Sequence, residues 1–99
     1  MAHITGGGFY DNLPRVIPDG LGVRIEKGRW PVPRIFGRIR ERTGAEEKEM
    51  FRTFNMGIGM VLVVRREDAD RTLSLLARLR QRAWCIGELT RGRREVLIV

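Results

Sequence analysis

Thiol and imidazole are nearly absent: the 99 residues contain one cysteine, Cys85, and one histidine, His3. A single thiol excludes an internal disulfide and a multi-cysteine metal site, and it fits a reducing compartment. No basic segment followed by an apolar stretch opens the chain, so no secretory signal is visible. The longest apolar run, Met60-Val-Leu-Val-Val64, is far too short to span a bilayer. No block of five or six like charges marks a tail, and neither an internal repeat nor a low-complexity linker divides the chain. The expectation is one structural unit, residues 1–99, soluble and cytoplasmic.

What is present is ordinary in hydrophobic content, 42%, and rich in positive charge, +7, with arginine supplying 17 of the 19 basic residues. The composition is that of a globular domain, and its length allows only a modest core. The basic excess suits a nucleic-acid binder and equally a domain that handles phosphorylated small molecules.

Hydrophobic periodicity predicts the elements. Ala2 to Thr5 reads as a strand end running into three glycines, and Phe9 to Val16 as a short helical segment limited by Pro14 and Pro18. Asp19-Gly20 signals a turn, and Leu21, Val23 and Ile25 alternate as a half-buried strand that stops at Lys27-Gly28. Trp30-Pro-Val-Pro33 is an extended lead-in. A helix then starts at Pro33, presents Ile35, Phe36 and Ile39, and ends at Gly44. Glu46 to Phe54 forms another helix, acidic in its first turn. Gly57 to Val64 is expected to be a buried strand, and residues 67–82 the strongest amphipathic helix. Ala83 to Leu89 and Glu95 to Val99 make the last strands, with a turn at Arg91-Gly92. Together these predict an α/β (α+β) fold, a small mixed β-sheet covered by helices. Cys85 reads as a small buried hydrophobe.

Two clusters carry potential chemistry. In His3-Ile-Thr-Gly-Gly-Gly8, glycines between a strand and a helix let backbone N–H groups approach an anion. Thr5 offers a hydroxyl there, and His3 a hydrogen bond or a proton. The segment is not a P-loop, since no Gly-Lys-Ser/Thr follows; a plain turn also explains it. In Arg52-Thr-Phe-Asn-Met-Gly-Ile-Gly-Met60, Arg52 presents a fork suited to phosphate or carboxylate, and Asn55 both donor and acceptor. Gly57 and Gly59 permit close approach by a ligand or another backbone. Arg15, in Asn12-Leu-Pro-Arg15, could add to a phosphate site, although a solvated role suffices for it. Trp30 suits packing. No carboxylate or histidine grouping suggests a metal site.

Taken in order, His3-Ile-Thr-Gly-Gly-Gly8, Asn12-Leu-Pro-Arg15, Trp30-Pro-Val-Pro33 and Arg52-Thr-Phe-Asn-Met-Gly-Ile-Gly-Met60 resemble the phosphoribosylformylglycinamidine cyclo-ligase (aminoimidazole ribonucleotide synthetase) family. The match is strong over roughly residues 2–64 and looser from Glu67 to Val99. It implies part of a C-terminal domain. It also implies an ATP-dependent ligase of purine biosynthesis that closes the imidazole ring of formylglycinamidine ribonucleotide, giving aminoimidazole ribonucleotide, ADP and phosphate.

Members of that family are longer two-domain chains, and nothing here matches their N-terminal nucleotide domain. The resemblance therefore implies a chain inactive alone, with ATP and Mg2+ bound mainly by that missing portion. Its partners would be a phosphorylated ribonucleotide and the missing portion, and it would form a homo-oligomer. By position in the motifs, His3 is the catalytic candidate. Thr5, Gly6, Gly7, Gly8, Arg15, Arg52 and Asn55 are the substrate-binding candidates. The competing reading is a stand-alone nucleotide- or RNA-binding module that kept the fold without catalysis. Poor interleaving of aromatic and basic residues weakens its RNA version. A fragment would also expose surface that was once interface, favouring self-association.

Overall fold

In the computed structural model, which describes residues 1–99, alternation starts at once. Ala2 and Ile4 are buried while His3 and Thr5 are exposed. Strand β1, Ala2–His3, pairs antiparallel with β3, Met60–Val61, placing Ala2 opposite Val61 and His3 opposite Met60. The Ile4 N–H donates to Gly59 O at 2.8 Å and extends the ladder by one bond.

The glycines then lead into helix α1, Gly8–Asn12, followed by a 3-10 turn at Leu13–Val16 that carries Pro14 near its start. Strand β2, Leu21–Ile25, is the centre of a three-stranded sheet. Strand β4, Gly87–Arg91, pairs antiparallel on one side of it, and β5, Val96–Ile98, parallel on the other. Helix α2, Arg34–Thr43, follows Pro33 and stops at Gly44, whose φ of 69° and N–H to Arg40 O form a left-handed cap. Helix α3, Glu47–Thr53, carries Met50 and Phe51 into the core. A 3-10 turn at Arg66–Asp68 opens helix α4, Ala69–Arg78.

The core is an aromatic knot. Phe9, Trp30 and Phe51 are buried, with ring centroids 5.8 to 6.3 Å apart in edge and stacked contacts. Ile4, Leu13, Ile25 and Met50 pack around them. The α+β class expected from periodicity is observed, with the strands divided between two small sheets.

Several expectations on length and burial are corrected. The apolar run expected as a buried strand over 57–64 is a strand only at Met60–Val61, because β1 offers two opposing residues. Met60, Leu62, Val63 and Val64 are all exposed, and of residues 60–64 only Val61 packs against the core. The helix expected over 67–82 is α-helical only over 69–78, since Arg80 turns left-handed at φ 59°. The strand expected at 83–89 is shifted to 87–91, because β2 ends at Ile25, whose register partner is Gly87. Cys85 consequently lies outside the ladder and is exposed, not buried.

The burial is concentrated. Residues 59–95 contain no buried position, although they include a strand of apolar residues and an amphipathic helix. The molecule is flat, 42 × 34 × 20 Å. Its accessible surface of 7317 Å² exceeds by roughly 1,500 Å² what a folded monomer of its mass ordinarily exposes.

Candidate functional site

Each of the four motifs is short, and the fold ties them to one another. The first contact is between the glycine segment and α3. A Cβ added at Gly8 would lie 2.0 Å from Phe51 O and 2.6 Å from Phe54 O, at a φ of 59°. Only glycine lets α1 sit this close to α3. The ladder bond from Ile4 to Gly59 joins the same segment to the far end of the second motif.

The turn between α3 and β3 is organised by Asn55. Its Oδ1 accepts from the Gly57 N–H at 2.9 Å, and its carbonyl from the Ile58 N–H at 3.1 Å. This is an asparagine turn that carries Met56 and Gly57 through left-handed φ values of 54° and 99°. Trp30 Nε1 donates to Met56 O at 3.0 Å. The proline segment lies against the same turn, since a Cβ at Gly57 would be 2.6 Å from Pro33 Cδ. Trp30 is thus a packing residue whose indole N–H holds the turn, as its type suggested.

The site candidates sort by what the fold asks of them. His3 and Thr5 stand on the exposed face of β1 and its extension, with Met60 opposite His3. Gly7 caps α1 at a φ of 95°, where a Cβ would strike the Asp11 side chain. Gly6 differs from its neighbours: a Cβ there meets nothing within 4 Å, so packing does not demand glycine. The Gly8 N–H turns back to Thr5 O at 3.0 Å and the Asp11 N–H to Gly7 O at 3.3 Å; the Gly6 and Gly7 N–H groups take no part in this network. Arg15 is exposed and forms no ion pair. Arg52 lies over the Tyr10 ring at 5.6 Å and 3.8 Å from Glu49.

Sequence reasoning passed over Asn12, which the fold uses heavily. It is buried, and its Nδ2 donates to Gly8 O at 2.7 Å while reaching Thr5 O and Gly6 O at 3.4 and 3.5 Å. Its Oδ1 accepts from Thr5 Oγ1 at 3.4 Å. Asn12 therefore fixes the path of the whole glycine segment. The available signal was a polar residue three positions after Phe9 and next to Leu13, on the buried face of a short helix.

Six of the twelve acidic side chains are paired with arginine or lysine. Glu26, Glu47, Glu49, Glu88, Asp68 and Asp19 each face a basic partner. No three His, Cys, Asp or Glu side chains gather where an ion could sit. This donor set does not fit a magnesium–nucleotide complex, whose ion needs converging oxygens. A shallow depression of about 230 Å³ between α2 and α3, walled by Trp30, Phe36, Met50 and Met56, includes none of the site candidates. No helix is long and apolar enough to cross a membrane.

Comparison with known proteins gives one consistent result. The sequence profile described as "AIR synthase related protein, C-terminal domain" matches residues 1–99. A phosphoribosylformylglycinamidine cyclo-ligase of Caldicellulosiruptor bescii is 52% identical over 98 residues, covering 99% of this chain and 29% of that protein. One from Pseudothermotoga lettingae is 51% identical with the same coverage. One from Bacillus licheniformis is 52% identical over 92 residues, 93% of this chain and 27% of the relative. The chain spans less than a third of the length of these relatives.

Proposed function

This chain belongs to the family of AIR synthase related proteins, C-terminal domain, and from that premise we propose that it works as part of a phosphoribosylformylglycinamidine cyclo-ligase. Joined to the remainder of such an enzyme, it helps convert formylglycinamidine ribonucleotide and ATP into aminoimidazole ribonucleotide, ADP and phosphate. Alone, it is inactive. The observation that carries this reading is the gathering of the four motifs around one aromatic knot, which leaves His3, Thr5 and Gly6 exposed together at its edge.

The roles follow from those placements. Gly6 is glycine without a packing reason, which suits a backbone approached by substrate. Its N–H and that of Gly7, neither of them hydrogen-bonded to the backbone, serve phosphate or ribose oxygens. Thr5 adds a hydroxyl, and His3, on the same face, moves a proton as the ring closes. Arg15 and Arg52 supply positive charge for the substrate phosphate. Gly8 and Asn55 act through the shape of the segments they hold. ATP and Mg2+ belong to the remainder of the enzyme, as do the contacts that make it a homo-oligomer, and the setting is cytoplasmic.

The test is turnover of formylglycinamidine ribonucleotide with ATP and Mg2+, by this chain alone and mixed with the C. bescii enzyme lacking its matching 98 residues. Turnover only in the mixture supports the proposal. A folded chain that gives no turnover in the mixture but binds RNA or free nucleotide tightly would favour the alternative, a stand-alone binding module.

A further inference from the structure

We infer that the depression between α2 and α3 is a binding site for a small aromatic carboxylate. This site is separate from the face bearing His3, Thr5 and Gly6, and it does not depend on the function proposed above.

The floor of the depression is the core itself. Trp30, Met50, Phe51 and Met56 line it, and all four are more than nine-tenths buried. Trp30 and Phe51 meet edge to face, with centroids 6.3 Å apart, and two thioethers complete a polarizable surface suited to a planar ring. The one indole donor, Trp30 Nε1, is committed to Met56 O at 3.0 Å, so this floor selects apolar surface. Helix α2 adds a second sign. Gly37 stands inside it and lines the depression. Glycine within a helix costs about 1 kcal/mol relative to alanine, yet a Cβ at Gly37 would meet nothing within 4 Å. Packing within the chain does not require it. The missing side chain keeps the depression open as far as the helix backbone.

Charge at the mouth identifies the occupant. Lys27 and Arg40 both pair with Glu47, Arg40 at 3.6 Å, and all three side chains line the depression. Two cations thus share one carboxylate, which leaves one positive charge in surplus beside an apolar floor. Arg40 spends its Nε–H on Ala45 O at 3.3 Å and one terminal nitrogen on Glu47; the other terminal nitrogen can serve a ligand oxygen. A ligand that is apolar at one end and singly anionic at the other satisfies floor and mouth together. A phosphate monoester, which carries nearly two negative charges, would leave part of its charge uncompensated. The volume, about 230 Å³, falls below the ~300–1,000 Å³ of sites for drug-sized ligands. The occupant is therefore limited to one ring or two fused rings bearing a carboxylate.

The experiment titrates the 99-residue chain with 1-naphthoate, and separately with the neutral 1-naphthalenemethanol, while NMR follows the methionine methyl and tryptophan indole signals. The expected result is saturable binding of naphthoate that shifts Met50, Met56 and Trp30 but not Trp84 or Met60. The alcohol should bind at least tenfold more weakly. Gly37→Leu fills the depression with a better helix former and should weaken naphthoate binding at least tenfold, with circular dichroism confirming the fold. Arg40→Gln should weaken naphthoate at least threefold and leave the alcohol unchanged. Failure to saturate, or unchanged affinity in a folded Gly37→Leu chain, overturns the site. Shifts at Met60 in place of Met50 and Met56 overturn it as well, because they put the probe on the exposed apolar surface of β3. Equal affinity for acid and alcohol, or no effect of Arg40→Gln, overturns the assignment of a carboxylate.

Discussion

Three consecutive glycines sit in three different environments, and that separates shape from chemistry at single residues. At Gly8 an added methyl group meets a backbone carbonyl in a left-handed conformation. Gly8→Ala should therefore destabilise the chain by about 3 kcal/mol or more, combining left-handed backbone strain with overpacking, as read by urea unfolding. Gly6→Ala meets open space, so stability should change by less than about 1 kcal/mol. Its effect should appear instead in the substrate KM of the reconstituted enzyme. Equal losses of stability at both positions would remove the distinction. Asn12 belongs with Gly8. Removing its amide leaves carbonyls of the glycine segment unpaired, and Asn12→Ala should cost about 1–3 kcal/mol. His3 is exposed and carries no packing role. His3→Ala should leave unfolding unchanged and lower turnover of the reconstituted enzyme by about 100-fold or more if it transfers a proton; full activity would end that assignment.

At the scale of elements, what could be read from sequence depended on whether the partner of each element lies within the chain. Strand β2 was legible to within a residue or so, because Leu21, Val23 and Ile25 alternate and both neighbours are present. Helix α2 was legible from Pro33 and Gly44, which act locally. Strand β3 and helix α4 were misjudged in burial, because periodicity reports which face wants cover and says nothing about what supplies it. The site shows the same division. The glycine segment and the Arg52–Met60 motif were visible as sequence, but their junction through Gly8 and Phe51 O is a long-range contact with no local signature. A consequence follows for mutagenesis. Leu75→Lys in α4 and Leu79→Lys at its C-terminal cap should each change the stability of the chain alone by less than about 0.5 kcal/mol, as surface substitutions do. Phe51→Ala in α3, buried against Phe9 and Trp30, should cost about 3–5 kcal/mol. A large loss from the α4 substitutions would mean that this helix already packs within the chain.

At the scale of the whole molecule, surface area and shape lead to the same expectation. A radius of gyration of 13.9 Å exceeds the ~12.6 Å usual for this length, and the extra extent lies in a plate only 20 Å thick. A plate cannot enclose much: the buried side chains gather at one knot, and the second half of the chain presents leucine and valine to water. Hydrophobic surface without cover draws on whatever apolar partner is available, including other copies, without any fixed geometry. The chain alone should therefore bind an environment-sensitive apolar dye while folded, and should self-associate heterogeneously as concentration rises, as followed by sedimentation velocity. Adding the missing portion of the enzyme should suppress both effects together, since one surface causes them. If the chain stayed a monodisperse monomer at high concentration and bound no dye, its strand and helix would have to find cover within the chain. The division of labour proposed for the two parts would then lose its physical basis.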